Sequence, residues 1–422
     1  MPQPLVRPFA GLRPTPESAA AIAAPPYDVL DTEEARVLAA DKPWSFLHIS
    51  KPEIDLPAGI SPYASEVYAK GAQNLRRMVE AGVLKRDPVP CYYVYRLTMG
   101  DHVQTGLVVA GSVAAYNANR IRRHEFTRPD KEDDRVRQIE AVDAQTGPVL
   151  IAHPDHPDLS AVVTAATEAP PAYAFTAYDG IGHALWVIAD PAVQRVITSA
   201  FEAMPAIYIA DGHHRSAAAA RVAAARNVDG ADLNGTGPSG AGEMPHASFL
   251  MVSFPISQMK ILDYNRVVRD LNGLSPEEFL AALNQNFTLE ATPSLARPRQ
   301  PREFGLYLKG QWYRLGLKQP LPPENEPVAR LDVSLLSDRL LTPVLGISDL
   351  RKDKRIDFVG GKRGLEELAR RVDSGEMAVA FALFPTRMED LVAVADAGEV
   401  MPPKSTWFEP KLADGLVSKP LH

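Results

Sequence analysis

The sequence predicts a mixed α/β fold in two parts, and three observations carry that prediction. HALWVIAD, PAVQRVITSAFEAM, AIYIA and HRSAAAARVAAAR follow one another over residues 183–226, and their apolar spacing reads strand, helix, strand, helix. After about residue 270 the chain changes character, with Pro-rich segments at 292–301 and 319–327 flanking a hairpin as linkers. Finally, 422 residues with 45% hydrophobic and 23% charged suit a soluble globular protein larger than one ordinary domain. We therefore expect an α/β region over 1–255 and a second α/β region over 256–422.

The elements follow in order. Pro25 and Pro26 in APPYDVLD (24–31) force extended backbone on their neighbours, and a short helix opens at Asp31. Apolar spacing over 63–82 predicts a helix that Gly82 ends. CYYVYRL (91–97) and GLVVAGSVAAY (106–116) read as strands of a hairpin, the turn falling near Gly100 and Asp101. A polar loop runs to Pro129, and a helix from about Asp130 to Ala144 follows. NVDGADLNGTGPSGAGEMPH (227–246) reads as a Gly-rich mobile loop before the buried strand ASFLMVSF.

In the second region, Ser275 and Glu278 form a capping box for a helix. FGLYLKGQWYRLGL turns at Lys309-Gly310 as a hairpin. VSLLSDRLLTPVLGI, the strand IDFVGG, a helix over 362–374, MAVAFALF and a last helix complete the unit, and VMPPKSTWFEPKL (400–412) is loop-like.

Composition narrows the partners. The net charge is −7 without a basic block, which argues against nucleic acid, where affinity rests on neutralising many phosphates. No apolar run reaches membrane-spanning length and the first residues lack a signal-peptide core, so a cytoplasmic protein is expected. The single cysteine, Cys91, cannot form an intramolecular disulfide and reads as a buried structural thiol at the start of a strand. Nothing in the composition fixes an oligomeric state.

One stretch calls for chemistry: IYIADGHHRSAAAARVAAARN (207–227). An apolar run ends in an acid, a glycine, two histidines and an arginine, and a helix begins at once. The first N–H groups of a helix lack intrahelical partners and its dipole favours negative charge there, so this turn is an anion site. Gly212 lets backbone approach a ligand, His213, His214 and Arg215 add donors, and Arg215 suits bidentate phosphate contact. Ser216 opens a run of small residues that lets the helix pack closely. Asp211 can cap the helix, orient a histidine or hold Mg²⁺ on phosphates. A metal-dependent hydrolase using His213 and His214 on zinc is an alternative, without the H-E-x-x-H spacing to support it. Neither common phosphate loop, G-x-x-x-x-G-K-[ST] nor G-x-G-x-x-G after a strand, is present.

This strand–Asp-Gly-His-His-Arg–helix unit resembles the signature turn of the ParB/sulfiredoxin-like fold, and among its members it is most similar to that of the free serine kinases. Those kinases also carry an upstream His-Glu before a helix, matched here by His124-Glu125. APPYDVLD, RRHEFT with DDR, IADGHHR and MPPKSTWFEPKL, spread over 24–412, resemble the landmarks of a bacterial and archaeal family of unknown function, the DUF1015 proteins. The resemblance implies a ParB/sulfiredoxin-like nucleotide-binding core at about 105–255. It also implies a kinase moving phosphate from ATP or ADP, with Mg²⁺, to a small hydroxyl substrate such as free L-serine. Glu125 would be the general base, with His124 and Asp211 beside it, and Gly212 to Ser216 would hold the nucleotide. A spacing of about 85 residues between Glu125 and Asp211 exceeds that of the compact kinases. The same fold also serves DNA-partitioning regulators, so a nucleotide-sensing binding protein is the second reading.

Three further groups are candidates. Lys404, Ser405 and Thr406 form a second anion-friendly cluster. Tyr27 and Asp28, after the double proline, are positioned to line a pocket. Thr127, Asp133 and Arg135 are expected to cap a helix and pair at the surface, and Gly360-Gly361-Lys362 to make a tight turn.

Overall fold

The computed structural model describes residues 4–227 and 244–422, so the expected Gly-rich loop lies mostly outside the described residues. The chain forms two compact units, Met1–Met259 with Pro410–His422, and Lys260–Glu409. The division expected at 255/256 thus falls at 259/260, and the last thirteen residues return to the first unit.

The first unit is built on a nine-stranded mixed sheet. In chain order its strands are β1 (Val6–Arg7), β2 (Tyr92–Met99), β3 (His102–Ser112), β4 (Ile121–Arg122), β5 (Val149–His153), β6 (Tyr173–Thr176), β7 (Gly182–Ile188), β8 (Ile207–Asp211) and β9 (Ser248–Pro255). They lie in the order β4-β8-β5-β9-β3-β2-β7-β6, with β1 against β3. Pairs β8/β4 and β9/β5 are parallel and the other pairs antiparallel. The expected hairpin is β2–β3, Met99 opposite His102. Its second strand starts earlier and stops earlier than the apolar run suggests, because the Ser112 hydroxyl accepts the Ala115 N–H at 3.1 Å and starts a short helix at Val113.

Of helices α1 (Ser65–Glu80), α2 (Pro129–Val142), α3 (Pro157–Thr167), α4 (Pro191–Glu202) and α5 (His213–Asn227), the last three pack on this sheet, while α1 packs on α2. Helix α2 ends two residues before Ala144 because Asp143 turns into the left-handed region at φ 48°. Helix α5 packs along α2, and Ile139, Ala218, Val222 and Leu421 form their shared apolar contact. The alanines of α5 keep that approach close, and burying Val222 contributes about 1.5–3 kcal/mol. The short helix after the double proline runs Thr32–Ala39, its capping box closed by Asp31 and Glu34 at 2.8 and 2.9 Å.

The second unit holds a six-stranded antiparallel sheet. The Ser275–Glu278 capping box closes as expected, at 3.2 and 2.8 Å. The expected hairpin pairs Glu303–Leu308 with Gln311–Leu317 across Lys309-Gly310. Part of the tail is strand rather than loop: Trp407–Glu409 pairs with Lys260–Leu262. No helix among the described residues is long and apolar enough to cross a membrane. Cys91 is buried, and burial pushes its thiol up to about 11.

Candidate functional site

Strand β8 delivers Asp211 at its end, and a register shift against β5 falls between Ile209 and Asp211. Gly212 then takes φ +96°, and a Cβ there would sit 3.3 Å from the Val149 Cα. Only glycine makes this bend cheaply, which is why the helix can begin at the very next residue. The N–H of Ser216 already donates to the Gly212 carbonyl at 3.0 Å. The N–H groups of His213, His214 and Arg215 precede that first intrahelical bond and so lack intrahelical partners.

The two histidines face different partners. His213 is 3% exposed, and its ring stands edge-on to that of His124 at 4.5 Å. Its Nε2 accepts the His124 backbone N–H at 3.5 Å, which places the ring proton on Nδ1, 3.7 Å from Glu125 Oε2. Burial pushes His213 down to about 3, overriding the pull of Asp211, so it is neutral at pH 7. His124 is fully buried, and among the described residues its ring makes no closer hydrogen bond than a weak one to the Ile209 backbone. Burial and His213 hold it near 3 as well, against the opposing pull of Glu125. His214 is only partly buried and its Nε2 accepts the Arg128 N–H at 3.1 Å; burial lowers its pKa. Both turn histidines therefore use a ring lone pair on backbone N–H groups. A zinc ion needs those lone pairs, so it would have to displace these N–H donors to bind here.

Asp211 is held on two sides. Its Oδ1 accepts the Gly212 N–H at 2.8 Å and its Oδ2 accepts from Lys411 Nζ at 3.0 Å. Burial would raise the carboxyl, but Lys411 and Arg215 outweigh it and keep it well below the usual carboxylate range. Among the described residues no group of three His, Cys, Asp or Glu side chains converges to cage a metal. A magnesium ion carried mostly by phosphates and water needs only one or two carboxylates, and Asp211 is the one that stands at this turn.

Arg215 departs from the sequence expectation. Its guanidinium is turned inward, where Nη1 donates to the Pro148 carbonyl and Nη2 to Asp28 Oδ2 at 3.4 Å. The ring of Tyr27 lies 5.9 Å away. Burial alone would lower Arg215, but Asp28 and Asp211 raise it, so it stays charged. Bidentate phosphate contact through this side chain is thus unavailable in this arrangement, because internal acceptors already hold it. Ser216 is likewise fully buried, and its hydroxyl donates to the His213 carbonyl at 3.0 Å.

Behind the turn lies a cavity of about 30 Å³, lined among others by Tyr27, Ser50, Arg135, Arg215 and Asp414. Ser50 Oγ, Arg215 Nε and Asp414 Oδ1 are buried without hydrogen-bond partners among the described residues. That volume admits one or two waters, which such groups require. Burial drives Asp414 up to about 7, against Arg215. Tyr27 lines this interior as expected, whereas Asp28 is exposed and reaches it only through its ion pair with Arg215. Arg135 is not a surface residue: it stacks 3.7 Å from the Tyr27 ring and pairs with Asp134 at 2.7 Å. Asp133 does pair at the surface, with Arg221 at 2.6 Å, and the Thr127 hydroxyl donates to Glu132.

Lys404, Ser405 and Thr406 belong to the second unit. Lys404 takes φ 62° and its Nζ lies 5.8 Å over the Tyr264 ring. The Ser405 hydroxyl donates to the Pro402 carbonyl at 2.6 Å. The buried Arg266, which the sequence did not single out, donates to the Lys404 carbonyl at 2.9 Å.

A family model described as a protein of unknown function, DUF1015, matches residues 6–334. The chain belongs to the DUF1015 family. That match takes in the whole Asp211–Ser216 turn, Tyr27 and Glu125 of this DUF1015 protein, and it stops before Lys411 and Asp414. Among solved structures, a free serine kinase in complex with AMP is similar at 13% identity and TM-score 0.34, covering 74% of this chain and 92% of its own. A conserved hypothetical protein from Pyrococcus furiosus is similar at 13% identity and TM-score 0.32, covering 73% and 93%. SbnI with a C-terminal truncation from Staphylococcus aureus gives 12% identity and TM-score 0.34, covering 73% and 85%. No curated protein matches. Two site residues, Lys411 and Asp414, escaped the sequence reading. Lys411 lies within the MPPKSTWFEPKL landmark and Asp414 two residues beyond it, but the landmark says nothing of where the tail docks.

Proposed function

We propose that this protein is a small-molecule kinase, transferring a phosphoryl group from ATP or ADP to the hydroxyl of a small amino acid such as free L-serine. The observation that carries this reading is the half-open Glu125 carboxylate, 35% exposed, 3.7 Å from the buried neutral His213 at the N-terminus of the helix that follows Gly212. Phosphoryl transfer asks little covalent chemistry of a protein; it needs a cradle for the phosphates and a carboxylate for the hydroxyl proton. The N–H groups of His213, His214 and Arg215 serve as the cradle. Glu125 takes the proton as the substrate oxygen bonds to phosphorus and the bond to the departing nucleotide oxygen breaks. His213 stays neutral and directs its Nδ1–H toward Glu125, which orients the carboxylate without protonating it. Asp211 would hold Mg²⁺ against the phosphates, and the ion would neutralise their charge.

The test is incubation of purified protein with labelled ATP or ADP, Mg²⁺ and L-serine. Labelled phosphoserine is expected from one of the two donors. Its absence with both, across small hydroxyl amino acids, overturns the kinase assignment, and nucleotide retention without transfer then favours a sensing module.

A further inference from the structure

We infer that Lys411, brought to the turn by the C-terminal tail, is the phosphate-binding cation of this site, in the role the sequence gives to Arg215. The inference rests on the reading that the turn binds nucleotide phosphate. Exposure separates the two candidates. Arg215 is 9% exposed and held by Pro148 and Asp28 inside the fold. Lys411 is 23% exposed and its Asp211 partner 34%, so this pair stands where a ligand can reach it.

An uncompensated Asp211 carboxylate beside the turn would repel the anion that the helix N–H groups attract. The Lys411 ammonium, 3.0 Å from Asp211 Oδ2, removes that repulsion. An ammonium donates through separate N–H bonds and can serve a carboxylate and a phosphate oxygen together. Its stem is also well anchored. Asp414 exchanges backbone hydrogen bonds with Ala24 at 2.8 and 3.2 Å, and the Tyr95 hydroxyl accepts the Ala413 N–H at 3.4 Å. Farther along, Lys419–Pro420 pairs with Ala144–Gln145, and Leu412, Leu416 and Val417 are buried. The tail is therefore a strap over the first unit that fixes where Lys411 stands. In the absence of Mg²⁺ this cation, with Arg215 behind it, keeps Asp211 from rejecting phosphate.

Calorimetric titration of ADP and of inorganic pyrophosphate into the full-length protein in EDTA tests the inference. Lys411→Met is expected to weaken both by about 10- to 100-fold, the range for a charged hydrogen bond, with Lys411→Arg recovering most of the loss. The pair Asp211→Asn with Lys411→Met removes both charges. Binding that stays weak there supports direct phosphate contact, and binding that returns to the wild-type level overturns it, since Lys411 would then only neutralise Asp211. Unchanged affinity in Lys411→Met overturns it as well. Wild-type protein that binds neither probe instead removes the nucleotide reading beneath it.

Discussion

Two strand-to-helix turns of this molecule look alike in sequence and behave in opposite ways. In the first unit, Ile207–Asp211 runs through Gly212 into His213, His214 and Arg215. In the second, Ile356–Gly360 runs through Gly361 into Lys362, Arg363 and a helix from Gly364 to Asp373. The second turn is closed by the protein itself: the Gly361 N–H donates to the Asp263 carbonyl at 2.7 Å, and a Cβ on Gly360 would meet the Trp407 ring at 2.8 Å. Its two basic side chains are exposed, where water screens them. The first turn buries His213 and Arg215 and sets a fully buried imidazole, His124, beside the half-exposed Glu125 carboxylate. Glycine and positive charge before a helix are thus common to both turns. Buried, incompletely paired titratable groups are what set the first apart.

The largest expected effect breaks the chemistry on one side alone. Glu125→Gln should lower phosphoryl transfer by about 10²–10⁴-fold, the usual share of a general base, while ADP binding by calorimetry persists. Full turnover in that variant would remove Glu125 from the proton-accepting role.

Next come the glycines themselves. Gly212→Ala forces a side chain onto φ +96° with Val149 3.3 Å from the new carbon, and should cost about 1–3 kcal/mol in urea unfolding together with nucleotide affinity. Gly361→Ala drives its Cβ to 2.3 Å from Asp263 Oδ1 and should also destabilise, yet leave nucleotide affinity at the wild-type level. If the second variant loses binding too, the contrast between the turns fails.

Smaller effects sharpen the contrast through pH. His124 is held near 3 in the folded chain against an ordinary 6.5. Between those values the unfolded chain takes up the proton and the folded chain refuses it. Its share of stability is therefore full above pH 6.5 and lost as pH falls toward 3. His124→Phe should flatten the acid limb of a plot of Tm against pH. Asp414 works the other way: folded near 7 against an ordinary 3.8, its contribution is full below 3.8 and lost as pH rises through 7. Asp414→Asn should raise Tm at pH 8 by roughly 2–4 °C, with little change at pH 4. An unchanged Tm at pH 8 would show that Arg215 and a bound water already satisfy the carboxylate.

Local sequence determined the elements and the turn. Spacing of apolar residues, the Asp31 and Ser275 caps, the Lys309-Gly310 hairpin and the Gly212 bend all act over a few residues. Each could therefore be read before any fold was known. Burial and long-range pairing could not. Arg215 reads as a phosphate ligand until Asp28 and Pro148, 187 and 67 residues away in the chain, draw it inward. Lys411 reads as a tail residue until the strap sets it on Asp211, 200 residues upstream. The cost of burying a charge depends on which distant groups share its site, and only the folded chain decides that.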